Sequence, residues 1–105
     1  MKLSIITATY NRPEKLNTNA IPSLINQTDD NFEWIAVNDG ENPETRKIIS
    51  NLKTNFSLLY VEIKHLSSGF GLYHARNAGL EVATGELITY LDDDNSLGPR
   101  IRTNA

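Results

Sequence analysis

Apolar residues along the chain alternate between short compact runs and longer stretches with helical spacing. Four compact runs, rich in isoleucine, valine and aromatic residues, predict β-strands. These runs are Leu3–Ala8, Phe32–Val37, Ser57–Ile63 and Glu86–Leu91. Helical stretches that begin at Pro13, Pro43 and Leu72 separate them. Strands that alternate with helices are typical of a three-layer, Rossmann-like α/β fold with a mostly parallel sheet.

The first helical stretch contains a proline at a position that a continuous helix tolerates poorly. Pro13 suits a first helical turn, because the N–H group that proline lacks is not needed there. Pro22 would lie in the helix interior, where it removes a hydrogen bond. We therefore expect a break near Ala20 and a new start through Ser23–Ile25. The last helix is expected to cover Leu72–Ala83.

Length and composition fit one ordinary globular domain. The chain has 105 residues, of which 39% are hydrophobic, enough for a single core. Ten basic and thirteen acidic side chains give a net charge of −3, which argues against a surface for nucleic acid or for anionic lipid. The absence of cysteine excludes disulfides and thiolate metal sites. No apolar run is long enough for a transmembrane segment or a signal peptide, so we expect a cytoplasmic protein.

Polar clusters follow three of the four predicted strands at their carboxyl ends. The clusters are Thr9–Asn11, Asn38–Gly40 and Asp92–Asp94. In open α/β sheets, ligands bind at this edge, near the point where the strand order reverses. The three clusters therefore predict one shared site.

The three consecutive aspartates are the most informative chemistry in the sequence. In an extended segment Asp92 and Asp94 would point to the same side and converge, while Asp93 would face elsewhere. Converging carboxylates repel each other unless a cation compensates them, and Mg²⁺ or Mn²⁺ with oxygen ligands would do so. The alternative is a solvated acidic turn that precedes a further helix. Composition alone leaves both interpretations open.

Other polar and aromatic residues at this edge also allow two interpretations each. Asp39 is either a turn former or a hydrogen-bond acceptor for a ligand. Tyr10 is either a partly buried core aromatic or a flat surface for a nucleobase. Arg76 either contacts a neighbour along its helix or faces a diphosphate. The two histidines, His65 and His74, are predicted to be surface residues, because their spacing does not suit a shared metal.

Four segments together resemble glycosyltransferase family 2, whose members have the GT-A fold. They are ATYNRP (Ala8–Pro13), FEWIAVNDGE (Phe32–Glu41), GLYHARNAGL (Gly71–Leu80) and GELITYLDDDN (Gly85–Asn95). Four motifs in the family's order cover nearly the whole chain, which is far more specific than any single motif. The resemblance implies the nucleotide-sugar-binding half of a GT-A fold.

The same resemblance implies a role for each candidate residue. Ala8 and Tyr10 would flank the nucleobase, and the Asp39 carboxylate would form a hydrogen bond to it. Arg76 would lie near the diphosphate or the base. Asp92 or Asp93 would bind the ribose, and Asp94 would hold the divalent metal, Mn²⁺ or Mg²⁺, that bridges the diphosphate. The donor would be a nucleotide diphosphate sugar, with UDP-linked sugars among the options.

The segment after the aspartates departs from the family pattern. Family members carry the acceptor site and a catalytic base in a second half, whereas the eleven residues Asn95–Ala105 include no acidic side chain. We therefore expect residues 1–105 to be a donor-binding domain truncated after the DxD motif, with no assigned catalytic residue and an unknown acceptor. An uncovered sheet edge would favour self-association. The alternative is a non-enzymatic or degenerate nucleotide-sugar-binding module.

Overall fold

The four predicted strands form one parallel sheet in a computed structural model that describes residues 2–27, 31–66 and 71–94. The strands are β1 (Leu3–Thr9), β2 (Phe32–Asp39), β3 (Ser57–Ile63) and β4 (Leu87–Tyr90). Their order across the sheet is β3-β2-β1-β4, and every pairing is parallel. The chain thus adds β2 and β3 on one side of β1 and then crosses to place β4 on the other side. The predicted α/β fold with a parallel sheet is confirmed.

The strand ends differ from the predicted ones at the edge that carries the polar clusters. β1 continues to Thr9 because Thr9 pairs with Asn38 in the neighbouring strand. β2 continues to Asp39, which pairs with Ile63 of β3. The first polar residues of these two clusters are therefore strand residues, held by the ladder of backbone hydrogen bonds. Residues 95–105, which follow the third cluster, lie outside the described part of the chain, as do residues 67–70 of the loop before the last helix.

The first helical stretch is continuous from residue 13 to residue 25, so the predicted break near Ala20 is wrong. It consists of α1 (Pro13–Lys15), a π-helical turn (Leu16–Ala20) and α2 (Ile21–Ile25). The N–H group of Ile21 bonds to the carbonyl of Leu16, five residues back. Pro22 then falls in the first turn of α2, where a proline needs no N–H partner. The wider turn accommodates the proline without ending the helix.

Helices cover both faces of the sheet. One face packs against the stretch 13–25 and against α3 (Pro43–Ser50), and the other packs against α4 (Leu72–Val82). Gly79 of α4 lies so close to the sheet that an added Cβ would stand 2.7 Å from the Cγ2 atom of Ile6. This close approach fixes the position of α4 over β1. It thereby holds the amino end of α4 beside the polar edge.

The opposite edge of the sheet is held together by one buried carboxylate. Glu33, at the start of β2, accepts hydrogen bonds from the Ser4 hydroxyl and from the amide and hydroxyl of Thr84. Burial alone would raise the pKa of Glu33, but these donors outweigh it and hold the pKa below its ordinary value. The carboxylate ties β1 and β2 to the segment that leads into β4.

No helix in the described ranges is long and apolar enough to cross a membrane.

Candidate functional site

The carboxyl ends of β1 and β4 meet through a buried hydrogen bond. The Thr9 hydroxyl donates to the Oδ2 atom of Asp93 at 2.8 Å, and both side chains are buried. These two strands are neighbours at the point where the strand order reverses, which is where ligands bind in such sheets. The structure therefore brings the polar clusters after the first and fourth strands together, as the sequence predicts.

Arg12, rather than strand geometry, brings two of the three aspartates together. Its Nη2 atom lies 3.3 Å from Oδ1 of Asp93 and 2.9 Å from Oδ2 of Asp94. Asp92 points elsewhere and contacts Arg76 at 3.4 Å. The expected convergence of Asp92 and Asp94 is therefore wrong. The physical reason is that residues 93 and 94 form a turn after β4 instead of continuing the extended strand.

The position of Arg12 follows from the sharp turn that ends β1. Asn11 has a φ of 52°, in the left-handed region that asparagine adopts more readily than most residues. The chain reverses there and places Arg12 beside the aspartates before the helix begins at Pro13. A hydrogen bond from Arg12 to Asp94, together with the charge of Asp93, raises the pKa of the guanidinium. Arg12 is thus the cation that compensates the acidic cluster.

Asp93 carries an unfavourable charge because it is buried among like charges. Burial raises the pKa of Asp93, and the neighbouring carboxylates of Asp94 and Asp92 raise it further. The hydrogen bond from Thr9 and the charge of Arg12 act in the opposite direction, but the net pKa stays above its ordinary value. This part of the site therefore favours any additional positive charge.

Asp39 is also buried, and its two oxygens have different surroundings. The Oδ2 atom accepts a hydrogen bond from the Gly71 amide at 2.7 Å and lies 2.9 Å from Nδ1 of His65. The Oδ1 atom is buried and has no hydrogen-bond partner within the part of the chain that the structure describes. A Cβ atom on Gly71 would come within 3.2 Å of Oδ2, so glycine allows this amide to approach. The turn itself is stabilised by Asn38, whose amide donates to the Gly40 carbonyl.

His65 is part of this cluster, contrary to the prediction that it is a surface residue. Its ring stacks on Tyr10 with centroids 4.9 Å apart and planes inclined by 12°, while its Nδ1 atom contacts Asp39. A usable signal existed in the sequence, because His65 comes two residues after β3 ends and therefore at the same sheet edge. His74, by contrast, is exposed on α4, as predicted.

The remaining candidates lie around this cluster. Arg76 of α4 reaches across to β4, where its guanidinium carbon lies 4.7 Å from the ring centroid of Tyr90, and it contacts Asp92. Its contacts are thus made to another element rather than along its own helix. Ala8 is buried in β1, among the apolar side chains that face α4. Their roles toward a ligand stay predictions.

The oxygen donors at this edge have the chemistry that a hard divalent cation requires. Within residues 2–27, 31–66 and 71–94, no three acidic or histidine side chains are grouped so as to hold a metal by themselves. Magnesium-type sites, however, usually use one or two carboxylates and complete the shell with substrate phosphates and water. Asp94, whose side chain is 48% exposed, fits that role, although Arg12 contacts it in this structure.

Comparison with known proteins identifies the relatives of this chain. The family model for glycosyl transferase family 2 matches residues 4–101. The uncharacterized glycosyltransferase YibD of Escherichia coli is 35% identical over 98 residues, covering 93% of this chain and 27% of that protein. The GalNAc(5)-diNAcBac-PP-undecaprenol beta-1,3-glucosyltransferase of Campylobacter jejuni is 35% identical over 97 residues, covering 91% of this chain and 30% of that protein. The chain therefore spans less than a third of the length of these two relatives.

The fold is also found in a solved structure. The structure of S. aureus TarS 1-349 in complex with UDP superimposes with a TM-score of 0.80 at 30% sequence identity, covering 95% of this chain and 29% of that chain. The same protein has been solved in complex with UDP-GlcNAc, with a TM-score of 0.76 at 29% identity, covering 90% of this chain and 27% of that chain. These similarities establish the GT-A type of fold for the described residues.

Replacement of Arg12 with alanine should raise the pKa of Asp93 further, because the buried carboxylate loses its nearest cation. A raised carboxyl pKa means that the folded state holds the proton more tightly than the unfolded state, whose ordinary value is 3.8. The free energy of unfolding therefore falls as the pH rises from 3.8 through the pKa of Asp93 in the folded state. Because that pKa is higher in the variant, the fall should extend to higher pH than in the wild type. Carbon-13 NMR titration of the Asp93 carboxyl and urea unfolding between pH 4 and pH 7 measure both effects.

The matched control is Arg76→Ala, since Arg76 contacts Asp92 and not Asp93. An Asp93 pKa that is the same in the Arg12 variant as in the wild type would contradict the role given to Arg12.

Proposed function

Because the chain belongs to glycosyl transferase family 2, we propose that its polar sheet edge binds the nucleotide of a sugar donor for glycosyl transfer. The observation that carries the proposal is the convergence at one edge of Tyr10, Asp39 and the aspartate turn. Each comes from a different strand end, and together they offer an aromatic surface, a buried acceptor and a group of carboxylates. The TarS structures with UDP and UDP-GlcNAc support a uridine nucleotide as the ligand.

The nucleobase is proposed to lie between the ends of β1 and β2. Asp39 has a buried Oδ1 atom without a partner among the described residues, and a base N–H group would satisfy it. Tyr10 provides a flat ring for stacking, and Ala8 is buried two residues earlier in β1. Uracil has a ring N–H group at N3, and a carboxylate can accept a hydrogen bond from it. This supports a UDP-linked donor.

The sugar and diphosphate are proposed to lie toward β4. Asp92 or Asp93 would accept hydrogen bonds from the ribose hydroxyls, and Asp92 is the more accessible of the two. Arg76 would lie near the phosphates, where a guanidinium suits two oxygen acceptors. A divalent cation held by Asp94 would supply Lewis-acid stabilisation of the diphosphate leaving group. The chain's own contribution is to position these groups around the strand ends.

The transfer step itself requires an acceptor site and a general base. No described residue is assigned to either, and the chain spans only part of the relatives it matches. A donor site is nevertheless required both by a transferase and by a nucleotide-sugar-binding module without transfer activity. Measurement of UDP release from UDP-GlcNAc with and without candidate acceptors distinguishes these two, because only a transferase releases UDP in an acceptor-dependent manner.

The nucleobase contact predicts a loss of UDP affinity when Asp39 is replaced. A hydrogen bond to a charged group contributes about 1.5–3 kcal/mol, so Asp39→Ala should weaken binding by roughly ten- to a hundred-fold. Isothermal titration calorimetry with UDP measures the Kd of Asp39→Ala and Asp39→Asn. Thermal melts of both variants test whether folding is preserved. Glu41→Gln removes an exposed charge two residues away and should leave the Kd unchanged. A Kd for UDP that is equal in the Asp39 variants and the wild type would refute the base pocket.

The metal role of Asp94 predicts a cation-dependent affinity for UDP. Wild-type protein should bind UDP more tightly with Mn²⁺ than with EDTA, because the cation offsets the charge of the diphosphate. Asp94→Asn should remove most of that difference, whereas Glu44→Gln, an exposed change in α3, should not. Calorimetry with and without Mn²⁺ decides the matter, and equal affinities in wild-type protein would exclude this role for Asp94.

A further inference from the structure

The Asp39 carboxylate, which the proposed function uses to bind the base, is closed off in this structure. Its side chain is only 1% exposed, although a ligand must reach it. The Gly71 amide contacts it from the start of α4, and the imidazole of His65 contacts it from the loop after β3. Something must move before a base can form the proposed contact.

His65 makes the same two kinds of contact that the proposed base would make. Its ring face lies on Tyr10, in a nearly parallel stack. Its Nδ1 atom lies 2.9 Å from Oδ2 of Asp39, the same carboxylate whose Oδ1 atom is proposed to accept a hydrogen bond from the base. Because a carboxylate only accepts hydrogen bonds, the Nδ1 atom must carry a proton and donate. The imidazole therefore contacts Tyr10 and Asp39 in the way that is proposed for the nucleobase: its planar ring stacks on Tyr10, and its N–H group donates a hydrogen bond to Asp39.

We propose that His65 occupies the nucleobase position in the empty protein and is displaced by the incoming nucleoside diphosphate. This inference rests on the proposed function and adds a regulatory contact to it. The empty site is thereby closed by a side chain of the same chain, so nucleotide binding competes with an internal ligand. The apparent affinity is then the intrinsic affinity reduced by the fraction of molecules in which His65 has moved away.

The surroundings of His65 allow this displacement. The residue lies outside any helix or strand, and its side chain is 31% exposed, so few contacts oppose its movement. It lines a cavity of about 470 Å³ on the side of Gly40, Glu41, Glu62, Ile63 and Lys64. An imidazole that leaves Tyr10 has room there. By contrast, Asp39 is the last residue of β2 and pairs with Ile63 of β3, and Tyr10 directly follows the last residue of β1.

Removal of the imidazole should therefore tighten nucleotide binding instead of weakening it. His65→Ala is expected to lower the Kd for UDP about tenfold, the lower end of the roughly ten- to hundred-fold range that corresponds to one hydrogen bond to a charged group. His65→Phe keeps a ring for Tyr10 but loses the donor to Asp39, so its Kd should fall between those of the wild type and the alanine variant. His74→Ala removes the other histidine, which is exposed on α4, and should not change the Kd.

The experiment is calorimetry with UDP and Mg²⁺ on the wild type and the three variants, after thermal melts that compare their folding. Proton NMR of the wild type adds an independent measurement, because the His65 ring protons should lose the ring-current shift from Tyr10 when UDP is added. Tighter binding by His65→Ala together with that shift supports the proposal.

Three kinds of result would overturn it. If the wild type binds UDP and His65→Ala has the same Kd, the imidazole does not affect binding. If the Kd of His65→Ala is higher, the imidazole contributes to binding instead of competing with it. In both cases the proposed function stands. Unchanged His65 resonances on UDP binding would point to a base on the other face of Tyr10 and would also refute displacement. If no variant binds UDP, the proposed function fails, and the displacement of His65 fails with it.

Discussion

The hydrogen bond between Thr9 and Asp93 is the contact on which the geometry of the site depends. It joins the ends of two neighbouring parallel strands, at the point where the strand order reverses. Because Asp93 is buried there, its charge needs compensation, and Arg12 supplies it after the turn at Asn11. One buried carboxylate thus determines where the loop after β1 and the turn after β4 must lie.

The carboxylates at the candidate site contact basic side chains of the same chain, although the Oδ1 atom of Asp39 has no hydrogen-bond partner among the described residues. Asp39 contacts His65, Asp92 contacts Arg76, and Asp94 contacts Arg12. Such pairs limit the cost of placing carboxylates close together. A ligand that binds here exchanges these internal contacts for its own, so its net affinity reflects the difference between the two sets of contacts. Under the proposed function, the hydrogen-bond donors come from the base and the ribose, and the compensating charge comes from a divalent cation.

Much of the fold was predictable from the sequence, because compact apolar runs and the glycine and proline positions identify parallel strands and their helices. The location of the site was predictable for the same reason, since polar residues at strand ends must meet at one edge. The pairing of the aspartates was not, because it depends on a turn at residues 93 and 94 and on Arg12. The contacts of His65 with Asp39 and Tyr10 were missed because a lone histidine carries no periodic signal, although its place two residues after the third strand indicated the same sheet edge. The continuous helix through Pro22 depends on a π-helical turn, which has no simple sequence signature.

We propose that the nucleotide binds at the carboxyl edge of the sheet. A competing location is the cavity of about 250 Å³ near the amino ends of β2 and β3, lined in part by Phe32 and Phe56. Titration of nitrogen-15-labelled protein with UDP and Mg²⁺, followed by amide chemical shifts, compares the two directly. Binding at the carboxyl edge predicts the largest shifts at Tyr10, Asp39 and Asp92, with little change at Phe56. Shifts centred on Phe56, with the strand-end amides unchanged, would contradict it.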